Sequence, residues 1–206
     1  MDGIIDEILG IEWKMFDAVQ NRNGRADCQD DLKTFTIMRG SQFRAWSEEL
    51  LKSYLDDLLE AKKEGRNLLS EKYARMMEHT FPQEYADIEG SLPPLSEEAK
   101  QRIGKIASVQ VAWLEDFAKR YPYVAGNGRP IHSSEDSPYG TSFETYLKGE
   151  LATYSEATLR KYEDFLAGLQ RESRNMNEEI LTYTSLAYGY TSVSQAEEAL
   201  AKRQRG

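Results

Sequence analysis

The residues best placed to do chemistry lie on faces that should be apolar. In TFTIMRGSQFRAW (34–46) a helical projection of about 100° per residue puts Cys28, Leu32, Phe35, Arg39, Gln42, Phe43, Trp46 and Leu50 on one face. Asp30, Lys33, Arg44, Glu48 and Lys52 fall opposite, and Arg39 lies near the centre of the apolar stripe. Glu12 projects into the face formed by Ile4, Ile5, Ile8, Leu9, Ile11, Met15, Phe16 and Val19. Glu150 falls inside a seam of Phe143, Tyr146, Leu147 and Tyr154, and Gln110 interrupts the stripe of Ile103, Ile106, Leu114 and Phe117.

A charge moved unpaired out of water costs several kcal/mol or more, so Arg39 needs an anion. Its planar fork suits a carboxylate or a phosphate. Two readings follow. In one, Arg39 forms a structural ion pair with Glu12 or Glu150. In the other, these helices line a cavity and Arg39 orients an anionic group on a small molecule. Glu12 or Glu150, raised in pKa by desolvation, is then the candidate acid or base. Gln42 and Gln110 add neutral hydrogen bonds, and Trp46, Tyr146 and Tyr154 line the cavity.

A separate possibility centres on Cys28, where a helix start could favour a thiolate nucleophile if His132 or His79 came near; the plain alternative is a packed side chain. His132 lies in YPYVAGNGRPIHSSEDSPYG (121–140), the longest segment without clear periodicity, read as a possible lid. Asn127, Arg129, His132, Glu135 and Asp136 would supply its polar contacts. With two histidines and one cysteine, no ligand spacing supports a metal site. Paired Glu-x-x-His motifs are missing, and GNGRP (126–130) lacks the spacing of a phosphate loop. No cofactor is expected.

The elements that must position these groups are helical. The chain has 206 residues, 40% hydrophobic and 30% charged, enough for one sizeable core. Its net charge of −9 disfavours nucleic acid or an anionic membrane surface as partner. The lone cysteine excludes an internal disulfide and fits a reducing compartment. MDGIIDEILG lacks the basic start and apolar core of a signal peptide, and no apolar run approaches a membrane span. The expectation is a cytoplasmic protein of undetermined oligomeric state.

Periodicity places a first helix over about 2–20, ending at NRNGRAD, and a long second helix over 28–63 with Asp27 as its cap and Glu64-Gly65 as its stop. A shorter helix covers 68–79, and FPQEYADIEGSLPPL is read as a loop. Ser96-Glu97-Glu98 starts another helix, TSFE (141–144) matches a capping box of Thr141 and Glu144, and Ser155 begins a helix with a Leu159, Tyr162, Leu166, Leu169 seam. A final helical region covers 175–203 with an interruption near Gly189, followed by a basic, solvated tail at 202–206. The fold class is all-α: a single-domain bundle (1–206) of about six to eight helices with a long second helix.

EWKMFDAVQNRNGRADCQ (12–29), TFTIMRGSQF (34–43), YARMMEHTFPQEY (73–85) and TSFETYLKGELATYS (141–155) together resemble an uncharacterised bacterial family, a domain of unknown function. The resemblance implies a bacterial origin and a stand-alone helical domain, and brings no catalytic residue with it. Three functions therefore compete: a small-molecule-binding protein or enzyme built on Arg39, a non-catalytic interaction module with a structural Glu12–Arg39 pair, and a thiol enzyme built on Cys28.

Overall fold

A computed structural model of the chain describes residues 1–20 and 24–205. Residues 21–23 of the NRNGRAD break, and Gly206 of the basic tail, lie outside the described residues. The described residues form eleven α-helices and no β-strand, with one isolated bridge between Ser137 and Gly140. All-α is therefore correct, while a count of six to eight is too low. The helices are α1 (Asp2–Asp17), α2 (Leu32–Arg44), α3 (Glu48–Lys63), α4 (Leu68–Thr80), α5 (Pro82–Ile88), α6 (Glu97–Arg120), α7 (Pro122–Gly126), α8 (Phe143–Leu151), α9 (Glu156–Arg171), α10 (Met176–Ala187) and α11 (Val193–Arg205).

The count differs because short-range capping divides what periodicity alone would join. The expected long second helix is two helices. Ser47 turns extended and its hydroxyl accepts from Leu50 N at 3.2 Å, starting α3 above Glu48 and Glu49. Its first turn is also displaced. Asp27 opens only a 3₁₀ turn (Asp27–Asp30), and Asp31 is the residue that caps α2, accepting from Thr34 N at 2.9 Å. Cys28 therefore falls on the 3₁₀ turn outside α2, Leu32 is the first residue of α2, and both are exposed instead of sharing the buried face of Arg39.

Two segments read as loops contain further helix. Pro82 and Pro122 each occupy a first-turn position, where the missing N–H costs nothing, and start α5 and α7. The expected Thr141–Glu144 box does not form. Ser142 is the cap of α8, and Glu144 instead accepts from Ser133 N at 2.9 Å and Lys148 Nζ at 2.6 Å. The expected stops do hold. Gly65 and Gly189 take φ of +71° and +90° after α3 and α10, a left-handed conformation that favours glycine.

Helix α1 packs on α2, α3 and α4; α8 lies against α4 and α6; α9 against α3 and α6; α10 against α2 and α6. Helices α4 and α8 approach closely at Gly149 of α8, where a Cβ would come within 2.9 Å of Met76 Cγ and 3.1 Å of Lys72 O on α4. Ile8, Phe43, Leu50, Leu51, Leu58, Leu151 and Leu159 are wholly buried in one hydrophobic core. These buried residues come from α1, α2, α3, α8 and α9, and the intruding charges lie on α1, α2, α4 and α8.

Candidate functional site

Arg39 does meet both candidate carboxylates. Its Nε donates to Glu12 Oε2 at 2.8 Å and its Nη2 to Glu12 Oε1 at 2.5 Å, a two-pronged pair. Its Nη1 reaches both Glu150 oxygens at 3.0 Å and Gln42 Oε1 at 2.6 Å. Gln42 Nε2 turns to Glu150 Oε1 at 2.9 Å, so this amide satisfies both ions at once. Two tyrosine hydroxyls complete the set: Tyr54 donates to Glu12 Oε1 at 2.6 Å and Tyr154 to Glu150 Oε1 at 2.8 Å.

A fourth charge, absent from the sequence reading, closes the balance. Lys72 Nζ lies 2.5 Å from Glu150 Oε2. Glu12, Arg39, Lys72 and Glu150 are 0%, 6%, 1% and 4% exposed, so two carboxylates and two cations are sealed together with no net charge. Each comes from a different helix: α1, α2, α4 and α8. A simple signal marked Lys72. Leu68, Lys72 and Met76 recur every four residues on α4, and the same projection that singled out Arg39 puts this lysine among apolar neighbours.

The electrostatics run against the expected acid. Burial alone would raise the Glu150 carboxyl, but Arg39 and Lys72, with hydrogen bonds from Lys72 and Tyr154, hold it well below the usual carboxylate range. The upward shift expected at Glu150 is thus reversed, because two cations outweigh desolvation. Burial would likewise lower the Arg39 pKa, yet Glu12 and Glu150 raise it well above its ordinary value. The hydroxyls of Tyr54 and Tyr154 are pushed up by burial and then by their glutamates, which keeps them protonated donors.

Around the ions stands an aromatic wall. Trp46 is 3% exposed, with ring centroids 5.2, 5.7 and 5.1 Å from those of Phe43, Tyr54 and Tyr162. Gln110 belongs to this second layer and not to the ionic set: its Nε2 donates to Tyr162 Oη at 3.2 Å. Tyr146 is half-buried beside the set, with Lys72 Nζ 3.5 Å from its ring centroid.

The remaining candidates lie apart. The Arg129 guanidinium is on the outer side, exposed, 4.5 Å from the Tyr146 centroid, and donates to Thr141 O at 3.0 Å. His132 pairs with Glu115 of α6 at 3.2 Å. Cys28 is exposed on its 3₁₀ turn, and among the described residues it makes no hydrogen bond to either histidine. The described residues also hold no group of three or more His, Cys, Asp or Glu able to bind a metal ion.

Two open grooves mark the surface. One, of about 320 Å³, runs between Asp57, Arg66, Pro94 and Ser155 and reaches Tyr154; the other, of about 490 Å³, lies between Asp6, Lys14, Lys62 and Arg66. Glu12, Arg39, Lys72 and Glu150 line neither. No described helix is long and apolar enough to cross a membrane.

Comparison with known proteins gives a family. Residues 2–198 match the family described as Protein of unknown function (DUF4125), and the chain belongs to it. No curated protein and no solved structure matches the chain.

Proposed function

We propose that this member of a family of unknown function is a non-catalytic interaction module, in which the Glu12–Arg39–Glu150–Lys72 set is a structural lock. The observation that carries this reading is the filled fork of Arg39, whose Nε, Nη1 and Nη2 all donate to protein carboxylates. An arginine kept for a ligand would turn at least one prong toward open space. The lock joins residues separated by 27, 111 and 78 positions, and so disfavours any packing that would orphan one ion. Partner contact falls to the outside. Leu32 and Met38 of α2, and Leu186 and Tyr188 at the end of α10, are 50%, 47%, 46% and 49% exposed on helices that pack together.

The reading is tested with two variants and a thermal-shift screen of a metabolite mixture. Met38→Glu with Leu186→Glu should leave the melting temperature within a few degrees of wild type and abolish capture of the protein's cellular partner. The compensated variant Glu12→Leu with Arg39→Met should keep that capture. A metabolite that stabilises wild type but not the compensated variant would overturn the proposal in favour of an anionic ligand at Arg39. One observation favours that second reading: Gln42, which holds both Arg39 and Glu150, is itself only half-buried and stands at the rim of the set.

A further inference from the structure

The larger groove, of about 490 Å³, runs beside α1. Glu7, Gly10, Ile11 and Lys14 recur at the three- and four-residue spacing of one helical face, and with Asp6 and Met15 they line one side of it. The other side comes from the end of α3 and the turn into α4. There Asn67 Nδ2 donates to Met15 O at 2.7 Å and ties that turn to the C-terminal half of α1. A cavity of this size, with an apolar middle and a few polar groups at fixed places, is the usual form of a small-ligand site.

The α1 face changes sign from end to end. Asp6 and Glu7 stand at one end and Lys14 at the other, seven residues after Glu7 and so about 10 Å along the axis. The helix supplies neither end with its usual partner: Ile11 lies four residues after Glu7, and Gly10 lies four before Lys14. Asp6, Glu7 and Lys14 are exposed and form no ion pair among the described residues. Between them the face is low and apolar, built from Gly10 and Ile11. Glycine in a helix interior is destabilising relative to alanine. Packing within the chain does not require it here: a Cβ at Gly10 would meet nothing within 4 Å, whereas one at Gly149 would strike α4.

We propose that this groove binds a short apolar peptide with free termini, its ammonium beside Asp6 and Glu7 and its carboxylate beside Lys14. The dimensions agree, since three extended residues span about 10 Å. The charge pattern selects a dipolar ligand over a fatty acid, whose hydrocarbon chain would lie against two carboxylates. Gly10, without a side chain, lets the peptide backbone approach the helix closely. The groove shares no residue with the lock or with the Met38–Leu186 face, so this inference and the interaction reading stand or fall separately.

The test is isothermal titration calorimetry and thermal shift of the full chain with the tripeptide alanyl-leucyl-alanine, its N-acetylated form and its C-terminal amide. Saturable binding of the free peptide is expected, with a melting-temperature rise of about 3–6 °C at about ten times Kd. Each blocked form should bind roughly tenfold more weakly, the loss of one charged hydrogen bond. Lys14→Gln should weaken the free peptide by a similar factor and leave the affinity of the amide unchanged, a difference that a purely structural lysine would not produce. Gly10→Leu fills the floor with a better helix former, and should keep or raise the melting temperature while abolishing binding. The inference is overturned by no saturable binding of the free peptide, by acetylation or amidation without effect, or by wild-type affinity for the free peptide in Lys14→Gln or in Gly10→Leu.

Discussion

Replacing Arg39 with methionine removes the four hydrogen bonds to carboxylates that join α2 to α1 and α8, and its consequence can be worked out group by group. Glu150 keeps Lys72 at 2.5 Å, Gln42 at 2.9 Å and Tyr154 at 2.8 Å, so it remains compensated. Glu12 keeps only the Tyr54 hydroxyl at 2.6 Å, at a site with no solvent exposure. The orphan is thus Glu12, and an uncompensated buried charge costs about 3–5 kcal/mol. For a chain of this size that lowers the melting temperature by roughly 6–20 °C. Adding Glu12→Leu removes the orphan and replaces the pair with apolar volume, which should return most of that loss, since such exchanges are often neutral. A double-mutant cycle by urea denaturation measures the difference, and a coupling of about 2–3 kcal/mol is expected. Arg39→Met as stable as wild type, or a double variant no better than the single, would refute the claim that Glu12 depends on Arg39.

Further tests address the rest of the fold. Glu150 is held well below the usual carboxylate range, and Glu144 is lowered to about 2 by hydrogen bonds from Lys148 and Ser133. A depressed folded pKa contributes stability above the unfolded value of 4.5 and loses it as pH falls toward the folded one. Stability should therefore hold above about pH 5 and decline from there to about pH 2, and Glu144→Gln should flatten part of that acid limb in chemical denaturation. Gly149→Ala puts a Cβ 2.9 Å from Met76 Cγ and should destabilise by about 1–3 kcal/mol through the α4–α8 contact; the gain usual for Gly→Ala in a helix would contradict this packing. Ser47→Ala removes the cap that divides α2 from α3 and should cost about 1 kcal/mol, read from the urea midpoint at constant slope.

The resemblance to a family of unknown function, carried by four sequence segments, is matched by the family found over residues 2–198. The fold class was equally legible, because helical periodicity is local and survives without partners. Boundaries were less so. The stripe from Phe35 to Leu50 reads as continuous, and Ser47 ends it only because its side chain competes successfully for the Leu50 amide. The same signature, a serine followed by two glutamates, was recognised at Ser96 but not at Ser47, where apolar phase on both sides masked it.

The sequence by itself determined that Glu12, Arg39, Gln42, Gln110 and Glu150 intrude on apolar faces, since burial of a stripe follows from its composition. Which intrusions meet was decided only by tertiary structure. Arg39 and Glu150 are 111 residues apart, and their contact depends on how α2 packs on α1 while α8 packs on α4, which itself lies against α1. Gln110 carries the same signature and yet faces Tyr162 in another layer. Lys72 did not enter the sequence reading at all, and a long lysine can usually carry its charge to water; at 1% exposure, pinned between Glu150 and Tyr146, it cannot. The physical reason is one of range. A helical face is set by residues three and four apart, whereas the pairing of two faces is set by the packing of the whole chain.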